Sequence, residues 1–155
     1  AALSGGEMVV RNPYSIRPYQ HVLEPVFADL SISANQHGMP ERYSGCYNIG
    51  PDDCDCVTTG ALATMFCDLW GKGMGWVNRA VPGAPHEANF LKLDCAHFKQ
   101  VYNWQPVWSV ETALEKTVEW SKVWNEGGDV FQCMNAHIEQ YLSDTPQLHN
   151  SKKNI

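Results

Sequence analysis

The chain has 155 residues and a formal charge of −6, from 11 basic and 17 acidic side chains; this length suits one domain that buries roughly 70% of its unfolded surface without cross-links. The acidic balance disfavours nucleic acid and anionic membrane as partners, since both need a basic face, and 44% hydrophobic residues exclude an acidic disordered chain. No run of ~18 apolar residues occurs, and Ala1 to Gly6 has neither the charged start nor the apolar stretch of a secretion signal, so a cytoplasmic protein with reduced thiols is expected.

Glu7 to Arg11 reads as a short strand, broken by Asn12-Pro13. Ser15-Ile16-Arg17-Pro18 is extended again, because the residue before a proline is pushed out of the helical region. Arg17 is thereby held on stiff backbone. A helix follows from about Val22, with Pro25 in its first turn. Leu23, Val26, Phe27, Leu30 and Ala34 form its apolar stripe, and His37-Gly38-Met39-Pro40 stops it. Cys46 to Ile49, between glycines, reads as a strand.

A second helix is expected from Val57 to Trp70, with Leu62, Met65, Phe66 and Leu69 on one face and Gly71 as its stop. Gly71-x-Gly73-x-Gly75 follows a helix and leads into Trp76-Val77. A dinucleotide loop does the reverse, so this is a turn. Pro82 to Pro85 is a loop, and Ala88 to Asp94 is extended. Asp94 suits the cap of a short helix ending near Tyr102, with Asn103 in the left-handed stop position. Ser109 caps the next helix, whose stripe is Val110, Ala113, Leu114, Thr117, Val118, Ser121 and Trp124. Gly127-Gly128 ends it. A last helix carries Phe131, Met134, Ile138, Tyr141 and Leu142, and a polar, disordered tail is expected over 143–155.

Charged residues are 18% of the chain, against about 25% in an average domain, and there are six tryptophans. The two facts suit either a surface partly covered by something else or a tryptophan-rich core, where Trp120 and Trp124 are read as core residues. Asp52-Asp53-Cys54-Asp55-Cys56 resembles a metal loop, but it offers one Cys-x-Cys and no second pair, so no metal is expected. Cys67 falls on an apolar stripe and reads as a small hydrophobe.

Several segments resemble one family in this order: Arg11-Asn12-Pro13-Tyr14-Ser15-Ile16-Arg17-Pro18-Tyr19-Gln20-His21-Val22-Leu23-Glu24-Pro25, Tyr47-Asn48-Ile49-Gly50-Pro51, Pro85-His86-Glu87-Ala88, and Trp104-Gln105-Pro106 with Thr112-Ala113-Leu114-Glu115-Lys116-Thr117-Val118-Glu119-Trp120. They are similar to the C-terminal part of the CDP-glucose 4,6-dehydratases, extended short-chain dehydrogenases/reductases, from about Glu7 to Tyr141. The resemblance implies an α/β fold class, here an α+β-like fragment: a nucleotide-sugar-binding C-terminal lobe over residues 1–142, with several helices, a few short strands, and the Rossmann lobe absent. It implies CDP-glucose as ligand, the missing N-terminal Rossmann lobe as partner, and NAD as cofactor of the full-length parent. In that family the cofactor takes a hydride from sugar C4 and returns it to C6 after water leaves.

None of the six tyrosines has a lysine four positions on, so the family's Tyr-x-x-x-Lys is not in this chain. No catalytic residue is assigned, and neither activity nor bound NAD is expected of this chain alone. An apolar face without its partner also points to self-association as a homo-oligomer. A non-catalytic CDP-sugar-binding module, or another epimerase or reductase of the superfamily, remains as an alternative.

A diphosphate needs cationic donors, above all the arginine fork. The resemblance makes Arg17 the first candidate; the plain alternative is a surface arginine paired with Glu24 or Asp29. Tyr19 and Gln20 follow it with further hydrogen-bonding groups. His86 matches a loop that reaches the diphosphate in sister families, and Arg79 is a second source of positive charge. Asn103 stands where the family usually has glycine.

Overall fold

The computed structural model describes residues 1–81 and 88–146. Its elements in chain order are β1 (Met8–Val10), β2 (Ile16–Pro18), α1 (Leu23–Gly38), α2 (Pro40–Tyr43), β3 (Cys56–Thr58), α3 (Thr59–Trp70), β4 (Trp76–Asn78), α4 (Ala96–Tyr102), α5 (Val110–Asn125) and α6 (Val130–Asp144). The helix-rich α/β fragment expected from the sequence is what forms.

Two small sheets carry the strands. β1 pairs with β4 in parallel, Val9 opposite Val77. β2 pairs with β3 antiparallel, Arg17 opposite Val57. On its other edge β2 meets Phe90 through a parallel bridge at Ile16, where the Ile16 amide donates to Asn89 (2.9 Å) and the Leu91 amide to Ile16 (3.1 Å). α3 ties the two sheets together. A Cβ on Gly60 would stand 3.0 Å from the Pro13 carbonyl oxygen and 3.3 Å from the Trp76 ring, so only glycine lets the helix start this close to the turn after β1.

Helix ends follow the sequence. Ser109 accepts from the Thr112 amide (3.3 Å), Thr58 from Ala61 (3.1 Å) and Asp129 from Gln132 (2.9 Å). Asn103 takes the left-handed position, φ 49°, that stops α4. Asp94 accepts from the Ala96 amide (3.0 Å), although Cys95 is the residue at the cap itself. Lys72 and its flanking Gly71 and Gly73 have positive φ, as a tight turn between α3 and β4 requires.

Four expectations are corrected. Cys46 to Ile49 forms no strand; it lacks a ladder partner, and Tyr47 instead packs on Phe98 and Tyr102. Val57 and Thr58 belong to β3, because β2 offers them backbone partners before α3 begins. The buried face of α1 is Glu24 and Ala28, while Val26, Leu30 and Ala34 are exposed. Small Ala28 allows the close approach of Phe98 and Trp104, which form the core with Tyr47, Ile49 and Tyr102 around them. Trp120 and Trp124 are not core: they are 38% and 53% exposed and stack on each other, planes 2° apart.

α5 buries Val110, Ala113, Leu114 and Val118, the first part of its expected stripe. α3 turns Ala63, Cys67 and Trp70 inward, and these two helices pack together. Six cysteines are free thiols, and Cys67 is buried as expected. α6 runs through Ser143 and Asp144 and is followed by the buried Thr145, two residues beyond the expected boundary at 142; residues 147–155 of the expected tail lie outside the described residues. No described helix is long and apolar enough to cross a membrane.

Candidate functional site

Arg17 lies in the middle of β2, fixed on one edge by β3 and next to the Ile16 bridge on the other. Its guanidinium donates to the Ile16 carbonyl (2.9 Å), and most of its five N–H donors have no further partner among the described residues. Among the described residues no carboxylate lies within salt-bridge distance of it. Glu24 is engaged elsewhere: both its oxygens are taken by Val107, Trp108 and Tyr141. The pairing with Glu24 or Asp29 therefore does not form. A half-buried arginine on a two-sided strand, with spare donors, is a ready anion anchor.

Thr59 organises the groups beside it. Its hydroxyl meets the Tyr19 hydroxyl at 2.9 Å and the Ser15 hydroxyl at 2.9 Å, and donates to the Ser15 carbonyl (3.2 Å). The Thr59 amide also donates to Ser15 (2.9 Å). Tyr19 is thus held at the first turn of α3. Gln20 is adjacent, and its Oε1 is buried with no hydrogen-bond partner among the described residues. A buried acceptor left unpaired costs about 1–3 kcal/mol.

Arg79 is exposed just past β4, its amide on the Val10 carbonyl (2.9 Å). The Asn78 side chain beside it donates to the Tyr14 hydroxyl (3.3 Å), which joins this strand end to the turn before β2. His86 lies outside the described residues; the described chain resumes at Ala88, two residues before the Phe90 bridge to β2. Arg17 therefore lies on β2 with Tyr19 and Gln20 just after it in the chain, while Arg79 follows β4 of the neighbouring sheet. Four clefts among the described residues, of about 310 to 530 Å³, are lined by other side chains. The positioning roles of Ser15 and Thr59 are not legible in the sequence, because their contact joins positions 44 apart.

A separate cleft of about 330 Å³ opens between the start of α1 and helices α5 and α6, lined among others by His21, Trp120, Met134 and His137. His21 Nδ1 accepts from the Leu23 amide (3.2 Å) and the ring packs edge-on against Trp108. Burial, then the charges of His137 and Lys116, bring the His21 pKa down to about 4. A second cleft, of about 530 Å³, is bordered by the ion pairs Lys92–Asp53 and Lys99–Asp52.

The glycine-rich stretch Gly71 to Gly75 joins α3 to β4. That is the reverse of the strand–turn–helix order needed to hold a dinucleotide, so this turn does not fit NAD.

The sequence is similar to that of an enzyme named for dehydration of a nucleotide sugar. That relative is the CDP-glucose 4,6-dehydratase of Salmonella typhimurium, 35% identical over 139 residues, which cover 90% of this chain and 38% of the relative. The chain thus spans well under half the length of the curated relative it matches, consistent with a C-terminal portion of it. The resemblance read from the sequence motifs is borne out by this match. No family model matches the chain.

Proposed function

We propose that this chain is the nucleotide-sugar-binding lobe of a CDP-glucose 4,6-dehydratase, the enzyme that converts CDP-D-glucose to CDP-4-keto-6-deoxy-D-glucose. In this reading Arg17 grips the diphosphate, Tyr19 and Gln20 add hydrogen bonds beside it, and Arg79 and His86 supply further positive charge. The lobe's contribution is positioning: holding a remote diphosphate orients the sugar for chemistry carried out by another lobe, a recognised source of rate. The hydride chemistry belongs to NAD bound in that other lobe.

The observation that carries this reading is the state of Arg17: a guanidinium on a strand braced on both edges, with spare donors and no carboxylate partner among the described residues. The buried Oε1 of Gln20, without a partner among the described residues, supports a donor-bearing ligand just past β2. Similarity to a CDP-glucose 4,6-dehydratase supplies the nucleotide.

Calorimetry of the chain with CDP-glucose, UDP-glucose and dTDP-glucose tests it. CDP-glucose should bind tightest, and Arg17→Ala should weaken binding by about 1.5–3 kcal/mol, the scale of a charged hydrogen bond. Equal affinity for the Arg17→Ala variant, with its circular dichroism unchanged, would remove Arg17 from the site.

A further inference from the structure

Where α5 meets α6, three side chains with metal-binding atoms converge. Cys133 and His137 are four apart on α6 and so share a face; Glu119 comes from α5. His137 Nε2 lies 3.0 Å from Glu119 Oε2 and 3.7 Å from Cys133 Sγ, and all three ligand atoms lie within 4.8 Å of one another. His137 is buried, at 6% exposure, and holds the centre of the group.

The first chemistry such a trio suggests is an activated thiol, and the geometry excludes it. A cysteine–histidine–acid relay needs the thiol and the carboxylate on opposite ring nitrogens. Here both meet Nε2. The single proton that Nε2 can carry serves at most one of these neighbours with good geometry, whereas a cation among the three atoms binds all of them at once.

We propose that Glu119, Cys133 and His137 form a three-ligand site for a zinc-class divalent ion, which pins α6 to α5. Thiolate, imidazole and carboxylate together suit zinc, whereas magnesium and calcium take oxygen ligands. Tetrahedral zinc with these ligands sets neighbouring donor atoms about 3.3–3.6 Å apart. The separations here lie within roughly an ångström of that, and Glu119, with 53% of its side chain exposed, is free to adjust. Binding releases the Cys133 thiol proton, and Nε2 coordinates through its lone pair while the ring proton moves to Nδ1. Lys116 Nζ now lies 3.3 Å from Glu119 Oε2, the oxygen assigned to the ion, and would move to the other carboxylate oxygen when the ion binds. His137 also lines the 330 Å³ cleft, which leaves room for water as the fourth ligand.

Cobalt(II), a coloured stand-in for zinc, provides the test on the full, reduced, metal-stripped chain. One equivalent should give visible ligand-field bands with a thiolate charge-transfer band in the near ultraviolet. Zinc should displace them, and bound zinc should raise Tm. Cys133→Ser should abolish the charge-transfer band, and Glu119→Gln, a change at an exposed side chain, should weaken binding at least tenfold with circular dichroism unchanged. Cys54→Ser/Cys56→Ser should leave the spectrum as it is. A band that survives Cys133→Ser, a band lost with Cys54 and Cys56, or no cobalt binding at millimolar metal would each overturn the site. None of these readouts involves a nucleotide sugar.

Discussion

The Tyr141 hydroxyl donates to Glu24 Oε2 at 2.9 Å, between side chains 2% and 0% exposed and 117 positions apart. The other carboxylate oxygen accepts the Val107 and Trp108 amides at 3.0 and 2.8 Å. One buried carboxyl therefore fastens α1 to α6 and to the connection that leads into α5. Glu24→Ala strands two amides and a hydroxyl, each worth about 1–3 kcal/mol when left unpaired. Urea unfolding followed by tryptophan fluorescence should show a loss of about 3–5 kcal/mol for Glu24→Ala and about 1 kcal/mol for Tyr141→Phe. A Glu24→Ala variant within about 1 kcal/mol of the parent would show that this network contributes little.

Burial raises the Glu24 pKa above the ordinary carboxylate range, against the hydrogen bonds from Trp108, Tyr141 and Val107 that lower it. The folded state then holds this proton to higher pH than the unfolded state does. Stability from this group is full below about pH 4.5 and falls as pH rises through the raised value. Glu24→Gln carries no proton to lose. The difference in unfolding free energy between parent and Glu24→Gln should drift against the parent as pH rises from 4.5, and a flat difference would refute the shift.

His21 works in the opposite sense. Its pKa falls from 6.5 to about 4, with burial the main cause, and its Nδ1 must be unprotonated to accept from Leu23. Stability from this group is full above pH 6.5 and is lost as pH falls towards 4, by up to about 3 kcal/mol. His21→Asn keeps an acceptor at the start of α1 and removes the titration. Its unfolding free energy should be nearly level where the parent's declines; equal slopes would show that His21 titrates normally.

How far the sequence reached can be seen in single helices. Ser109, Asn103 and the Gly71 turn were legible because caps and tight turns are set within a few residues. The face of α1 was not. Val26, Leu30 and Ala34 of its apolar stripe point outward, Leu23 and Phe27 are only half-buried, and the fully buried positions are an alanine and a glutamate. Ala28 is inside because Phe98 and Trp104 need room, and Glu24 because distant amides satisfy it. Trp120 and Trp124 defeat the same rule, since a large apolar ring is normally buried and these two cover each other at the surface. At the candidate site, proline after Arg17 announced its extended backbone. Thr59, which sets Tyr19, was invisible because the contact exists only once β2 and β3 pair. Cys133 and His137 stand at a spacing readable on any helix; Glu119 joins them only through α5·α6 packing.

Thr59 gives a test of that hidden support. Its hydroxyl joins Tyr19 and Ser15, so Thr59→Val leaves two hydroxyls short of a partner while preserving shape. Stability should fall by about 1–2 kcal/mol. If Tyr19 serves the ligand, affinity for CDP-glucose should also drop several-fold, and Thr59→Ser should restore both. Loss of stability with unchanged affinity would make the cluster purely structural.

Gly60 separates two opposed effects at the base of the same site. Alanine is favoured over glycine in a helix by about 1 kcal/mol, so propensity alone makes Gly60→Ala stabilising. The added Cβ, however, would lie 3.0 Å from the Pro13 carbonyl and 3.2 Å from the Pro13 Cβ, and a backbone oxygen hydrogen-bonded to the Gly60 amide at 2.8 Å has little freedom to retreat. Overpacking of this kind costs about 1–3 kcal/mol. The clash should win: Tm should fall, and because α3 would be pushed off the turn that leads into β2, affinity for CDP-glucose should fall with it. A raised Tm would mean that the Pro13 turn yields easily, and that β2 is held on β3 and Phe90 without help from α3.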